Sequence, residues 1–251
     1  MPDFDGVHAK LERARLHAKN YNEAAQEIIN RRPFELVGQV EDGWFVMRWK
    51  QNGSHPDFTP LSLMFGDMLY NLRASLDYLI WQLILVNRAT PGQSAAFPCV
   101  RKRDNWRSAV NSQLKGVGTQ WIPEIKSLQP FNQDPPEQHM LALLDQANNV
   151  NKHRLLPVTL LIAKMVPFKV EGLQAGVSMN FDFDRGMNEP IADGVEYGRL
   201  TFDREINVTI TLDPNLRFRL RFSDITNSDW QNQQMVAWVE ETIARFEPAF
   251  A

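Results

Sequence analysis

The chain has 251 residues, 43% of them hydrophobic, with a formal net charge of −3 and one cysteine. That is enough to bury a core as one large domain or two small ones, and it excludes the global basic footprint of a protein that grips duplex DNA through many phosphates. Cys99 alone cannot form an intramolecular disulfide, the charged opening MPDFDGVHAKLERAR lacks a signal peptide's apolar core, and no apolar run reaches the roughly 20 residues that span a bilayer; the expectation is a cytoplasmic protein without a membrane partner.

From about residue 5 to 31, Val7, Leu11, Ala14, Ala18, Tyr21, Ala25 and Ile28 recur at three- and four-residue steps, the period of an amphipathic helix that Pro33 stops. FELVGQVE and WFVMRWKQ follow, joined by Asp42-Gly43, a pair suited to the positive φ angles of a tight turn, so 34–51 reads as a β-hairpin. Thr59 or Ser62 then caps a central helix from Leu61 to Asn87. Its broad face carries Phe65, Met68, Leu69, Leu72, Leu76, Leu79, Ile80 and Leu83, and Tyr70, Ala74, Trp81 and Leu85 make the opposite side apolar too. A helix apolar on both sides is expected to be buried on both, by its own fold or by a second copy, which predicts a homodimer.

Beyond it, Asp104 caps and Gly116 ends a short helix, PEIKSLQ forms another, and a second long helix opens at Pro135 or Pro136 and runs to Leu156, where Pro157 ends or kinks it. Past about Met165 the hydrophobic period changes from 3.6 to 2: Val177 to Phe183, Val195 to Phe202, Ile206 to Leu212 and Phe218 to Phe222 read as strands, and Ser228 to Phe246 as a closing helix. A lone hairpin is unstable, so 34–51 is expected to join these strands. The fold class predicted is α+β, a helical-bundle layer (about 5–31 and 61–163) with a mostly antiparallel sheet layer (about 34–51 and 165–222) and a C-terminal helix (about 228–246), in a single interleaved domain over 1–251.

On the second long helix Leu141, Leu144, Asn148, Lys152 and Leu155 share one stripe, with Asp145 and Asn149 beside it and His153 further round. Polar groups among core leucines need partners or a cavity, and Arg73 and Asp77 of the central helix are the natural ones. Two readings follow: a polar pocket between the helices, or an internal ion-pair network that sets helix register and includes the i,i+4 pair Arg73–Asp77.

The string NLRASLDYL from Asn71 to Leu79, the Phe97-Pro98 and LQPF pieces, and N-x-x-K-H-R from Asn149 to Arg154 resemble a group of bacterial and phage proteins whose helix reads L-R-x-x-L-D-H. Arginine, four residues and histidine on a helix is also the hallmark of the HEPN superfamily, helical bundles that often dimerise and in many members cut RNA without a metal. The resemblance covers roughly Leu61 to Pro157 and departs at Tyr78, which stands where the histidine would be; a tyrosine is a poor proton shuttle at pH 7. It implies an RNA-associated, HEPN-like protein with lost or altered metal-independent ribonuclease activity. In that chemistry His153 would replace the missing histidine as proton shuttle, Arg73 and Lys152 would stabilise phosphate charge, and Asn148 or Asn149 would orient the RNA, with Asp77, Tyr78 and Arg154 lining the site. The alternative is a non-enzymatic protein-interaction module whose Arg, Asp, Lys and His cluster is a structural network.

The five histidines show no metal-ligand spacing, and no P-loop, dinucleotide-binding glycine pattern or nucleophile elbow occurs, so neither metal nor cofactor is expected. Arg101, Lys102, Arg103 and Arg107 around Trp106 read as a solvated helix start or a nucleic-acid contact. Arg217, Arg219 and Arg221 share a strand face and are expected to pair across strands with Asp182 or Asp184.

Overall fold

The computed structural model describes residues 4–156, 158–162, 168–171, 176–182, 191–203, 209–212, 216–220 and 232–250. In chain order the elements are α1 (Asp5–Asn30), β1 (Phe34–Glu41), β2 (Trp44–Gln51), α2 (Thr59–Val86), α3 (Trp106–Ser112), α4 (Ile122–Ser127), α5 (Met140–His153), β3 (Val158–Ile162), β4 (Phe168–Glu171), β5 (Met179–Asp182), β6 (Glu196–Phe202), β7 (Thr209–Leu212), β8 (Leu216–Leu220) and α6 (Asn232–Ala244). The fold is α+β. The chain folds into two compact units, each gathered from distant segments: Met1–Asn22, Pro60–Leu156 and Phe222–Ala251 form one, Glu23–Thr59 and Pro157–Arg221 the other.

In the second unit β1 and β2 form the expected hairpin, from Phe34 opposite Gln51 to Glu41 opposite Trp44. Asp42 and Gly43 both take positive φ, 48° and 80°, the backbone twist that lets a two-residue turn close a right-twisted hairpin. The hairpin joins the later strands through β2 and β6, giving an antiparallel sheet of order β1-β2-β6-β5. Phe34, Met47, Trp49, Ile191, Tyr197 and Leu200 form its buried core. Two further antiparallel ladders, β3–β8 and β4–β7, belong to the same unit.

One expectation about the strands is corrected first. Residues 158–162, assigned to the helical layer by their apolar run, form β3; the β-branched Val158, Thr159 and Ile162 suit an extended backbone. By backbone register β8 pairs with β3, and Asp182 stands opposite Arg199; the side chains of Arg217 and Arg219, and Arg221 and Asp184 altogether, lie outside the described residues, so the expected pairing of these arginines falls there. The strand expectations at 206–208, 183 and 222, and the helix start at 228–231, also lie outside them.

The first unit is organised on α2. Phe65, Met68, Leu69, Leu72, Leu76, Leu79, Ile80 and Leu83 are all buried, as the projection requires. The α2 N-terminus differs from expectation: the carboxylate of Asp57, rather than Thr59 or Ser62, accepts the Thr59 N–H at 2.9 Å. Ser62 instead donates to the Leu156 carbonyl. α1 runs antiparallel to α2, with His17 3.9 Å from Asp67 and the Tyr21 and Phe65 rings 5.6 Å apart near one end, and Lys10 over Tyr70 and Tyr78 near the other. Met235, Val236, Val239 and Ile243 of α6, and Phe246 just beyond it, the residues singled out by spacing, are buried.

α5 begins later than its prolines suggest. Pro136–Gln138 form a 3-10 turn, His139 is extended (φ −68°, ψ 138°), and its Nδ1 accepts the Leu141 N–H at 3.1 Å, so histidine caps the helix. The Asp104 cap is not made: a 3-10 turn at Arg103–Asn105 leads into α3 without a side-chain cap. Among the described residues no helix is long and apolar enough to cross a membrane.

Candidate functional site

α2 and α5 lie antiparallel. Ser62 reaches Leu156, a side chain on Gly66 would strike the Asn151 amide, and Arg73 comes to 4.0 Å from Asp145, so position rises along α2 as it falls along α5. Glycine at 66 permits the close approach of the α5 end. This register sets which of the sequence-predicted site residues can meet.

Arg73 and Asp77 do meet. The Arg73 guanidinium donates to Asp77 at 2.8 and 3.3 Å and to the Phe97 carbonyl, while the Asp77 carboxylate accepts the Phe97 N–H at 2.9 Å. One i,i+4 pair thus grips both backbone groups of Phe97, whose ring is buried. A third charge closes the cluster: Asp145 lies 4.0 Å from Arg73 and 3.6 Å from Arg101, and Arg101 also donates to the Ala142 carbonyl at 3.1 Å. The cluster continues through backbone contacts, since buried Gln129 accepts the Val100 N–H at 3.0 Å and the Phe131 N–H bonds the Val100 carbonyl at 3.2 Å. NLRASLD, Phe97-Pro98 and LQPF, separated in sequence, are therefore parts of one interlock.

Arg73 is closed off: its side chain is 12% exposed, and Nη1 is buried without a hydrogen-bond partner. Asn148 is buried one turn beyond Asp145, its Oδ1 likewise unpartnered. The remaining candidates point elsewhere. Asn149, Lys152, His153 and Arg154 are exposed. His153 stands eight residues beyond Asp145, about 12 Å along the helix axis at 1.5 Å per residue, at the end that packs near Gly66 rather than at the Arg73 end. Lys152 and His153 occupy the last turn of α5, where positive charge complements the helix C-terminus. Tyr78 is exposed beneath Lys10, whose ammonium lies 5.8 Å from its ring. Arg73 and His153 are not brought together.

Sequence reasoning missed Cys99, Gln129 and the central part of Arg101. Cys99 lies between the charged groups, its thiol donating weakly to the Leu141 carbonyl at 3.8 Å. Burial, reinforced by the Asp145 carboxylate and only partly opposed by Arg101 and Arg73, pushes that thiol up to about 12. Of the basic run, Arg101 turns to Asp145, and Arg103 stacks 4.7 Å from the Phe131 ring and donates to Asn132, so the run does not act as one cationic patch. Among the described residues no group of three or more His, Cys, Asp or Glu side chains is placed to hold a metal ion.

The second feature is the outward side of α2. Leu63, Tyr70, Tyr78 and Trp81 are 52%, 55%, 45% and 45% exposed and follow one another at steps of seven, eight and three residues, which keeps them on one side of the helix. Lys10 of α1 reaches over the Tyr70 and Tyr78 rings, yet this side, expected to be buried, stays about half exposed.

No family model, curated protein or solved structure matches the chain.

Proposed function

We propose that this protein is a non-enzymatic interaction module whose first partner is a second copy of itself, and that the Arg73 cluster is its internal keystone rather than a reaction centre. The observation that carries this reading is the engagement of the Arg73 guanidinium by Asp77, the Phe97 carbonyl and Asp145 in an almost closed setting. The one guanidinium nitrogen without a hydrogen-bond partner, Nη1, is buried and faces the Asp145 carboxylate at 4.0 Å rather than solvent, and a shuttle about two turns of α5 beyond Asp145 is poorly placed to share a substrate atom with it.

The keystone reading is tested by Arg73→Ala. Removing one partner leaves Asp77 and Asp145 facing each other in a partly buried site and frees the Phe97 carbonyl, a loss of about 3 kcal/mol or more, so the melting temperature falls sharply. Arg73→Lys falls nearly as far, because an ammonium cannot span a carboxylate and a carbonyl in the planar arrangement a guanidinium allows. An Arg73→Ala protein that melts with the parent but loses binding or cleavage of single-stranded RNA overturns the reading and restores the ribonuclease-like one.

The choice of a second copy rests on the outward side of α2. With two α2 helices antiparallel about Ala74, Tyr70 of one copy meets Tyr78 of the other, Leu63 meets Leu85, and the exposed Asp67 meets Trp81, whose indole N–H is a donor for that carboxylate. Ala74, the small residue at the axis, allows close approach. Half-exposed aromatic side chains bring about 100 Å2 each, so the four large residues provide about half of the roughly 800 Å2 that each partner buries in a stable interface. The neighbouring edge of α1, including Lys10, extends the contact.

A further inference from the structure

Beside the keystone, the segment 99–105 and α3 enclose an open cleft of ≈ 490 Å3. This is within the range of small-molecule sites, roughly 300–1,000 Å3. Its chemistry is one-sided. Lys102, Asn105, Ser108 and Gln113 bring an ammonium, two amides and a hydroxyl to its wall, Arg101 adds a second cation, and none of the lining residues is acidic. Among the described residues the side chains of Lys102, Asn105, Ser108 and Gln113 make no hydrogen bond or ion pair with the rest of the chain, so their donors are available. The remainder of the lining includes Val100 and Ala109, both buried, and the half-buried Cys99.

We propose that this cleft binds a small organic oxyanion, a phosphate ester or a carboxylate, with the anionic group toward Lys102, Asn105 and Ser108 and the apolar body against Val100 and Ala109. Three considerations converge on this class. Donors without a facing carboxylate favour an acceptor-only group; the cations make that group negative; and an apolar wall beside a polar rim orients an organic body, which free phosphate lacks. Because Asp145 already neutralises part of Arg101, Lys102 is the principal charge for the ligand. The site adjoins the keystone through Arg101 and Cys99, so occupancy also holds the 97–101 segment in place.

The test is calorimetric titration of the full chain with phenyl phosphate, benzoate, inorganic phosphate and phenol. Phenyl phosphate or benzoate is expected to bind, phenol not to bind, and inorganic phosphate to bind at least tenfold more weakly than the better organic anion. Binding by only one of the two organic anions assigns the ligand as a phosphate ester or as a carboxylate; binding by both supports the wider class. Lys102→Glu and Ser108→Ala are at exposed positions and are expected to leave the melting temperature unchanged while weakening that binding at least tenfold and about threefold. Absence of binding by both organic anions at millimolar concentration overturns the proposal, as does phenol binding as tightly as phenyl phosphate, or undiminished affinity in a folded Lys102→Glu, Ser108→Ala double variant.

Discussion

At the scale of single residues, the most informative side chains are those whose chemistry the fold suppresses. Cys99 is the only thiol in the chain, and its setting disfavours the thiolate, the nucleophilic form. With the thiol pushed up to about 12, against about 8.5 for a free cysteine, the thiolate fraction at pH 8 is roughly a thousandfold lower. Alkylation by iodoacetamide in native buffer is therefore expected to be about a thousandfold slower than in urea, rising about tenfold per pH unit between pH 8 and 11. A native rate within tenfold of the unfolded one contradicts the buried setting. Arg73 and Asp77 were legible as a pair from their spacing alone. That they hold the backbone of Phe97 was not, because 20 or more residues separate the partners and no local pattern encodes which carbonyl a guanidinium will reach.

At the scale of elements, long periodic segments were read well and their ends poorly. The α1 pattern, the hairpin with its Asp42-Gly43 turn, and the buried face of α2 appear where spacing placed them. The start of α5 does not, since His139 is an uncommon cap and prolines at 135 and 136 mimic a helix opening. The cap has a pH consequence. His139 accepts the Leu141 N–H through Nδ1, which requires the neutral ring, and burial holds its pKa below the usual histidine value. A depressed pKa in the folded state means that this stabilisation is present above the unfolded value of about 6.5 and is lost as pH falls through the folded one. The melting temperature of the parent is expected to drop between pH 7 and 5 by more than that of His139→Asn, whose side chain caps without titrating. His139→Ala is expected to cost about 1 kcal/mol at pH 8. Parallel pH profiles for the parent and His139→Asn remove the cap from the account.

At the scale of the whole molecule, the outward side of α2 leads to an expectation about assembly. Light scattering at micromolar concentration is expected to give twice the 28.9 kDa chain mass. Trp81→Glu is expected to return one chain mass with an unchanged circular dichroism spectrum, because Trp81 lies on the exposed side of α2, away from the face that carries its buried core. A parent protein that stays at 28.9 kDa overturns the self-association.

What the amino-acid order determined by itself was periodicity. The 3.6-residue repeat of α1 and α2, the two-residue repeat of the later strands and the turn chemistry of Asp42-Gly43 are local properties, and each specified its element. The tertiary structure decided everything that depends on distance in the chain. It separated His153 from Arg73 by the antiparallel register of α2 and α5, turned Arg101 out of its basic run and onto Asp145, and made β3 from a segment whose apolar run also suited a helix. The physical reason is the same in each case: a side chain's charge or apolarity states what kind of partner it needs, whereas packing and register decide which partner it meets.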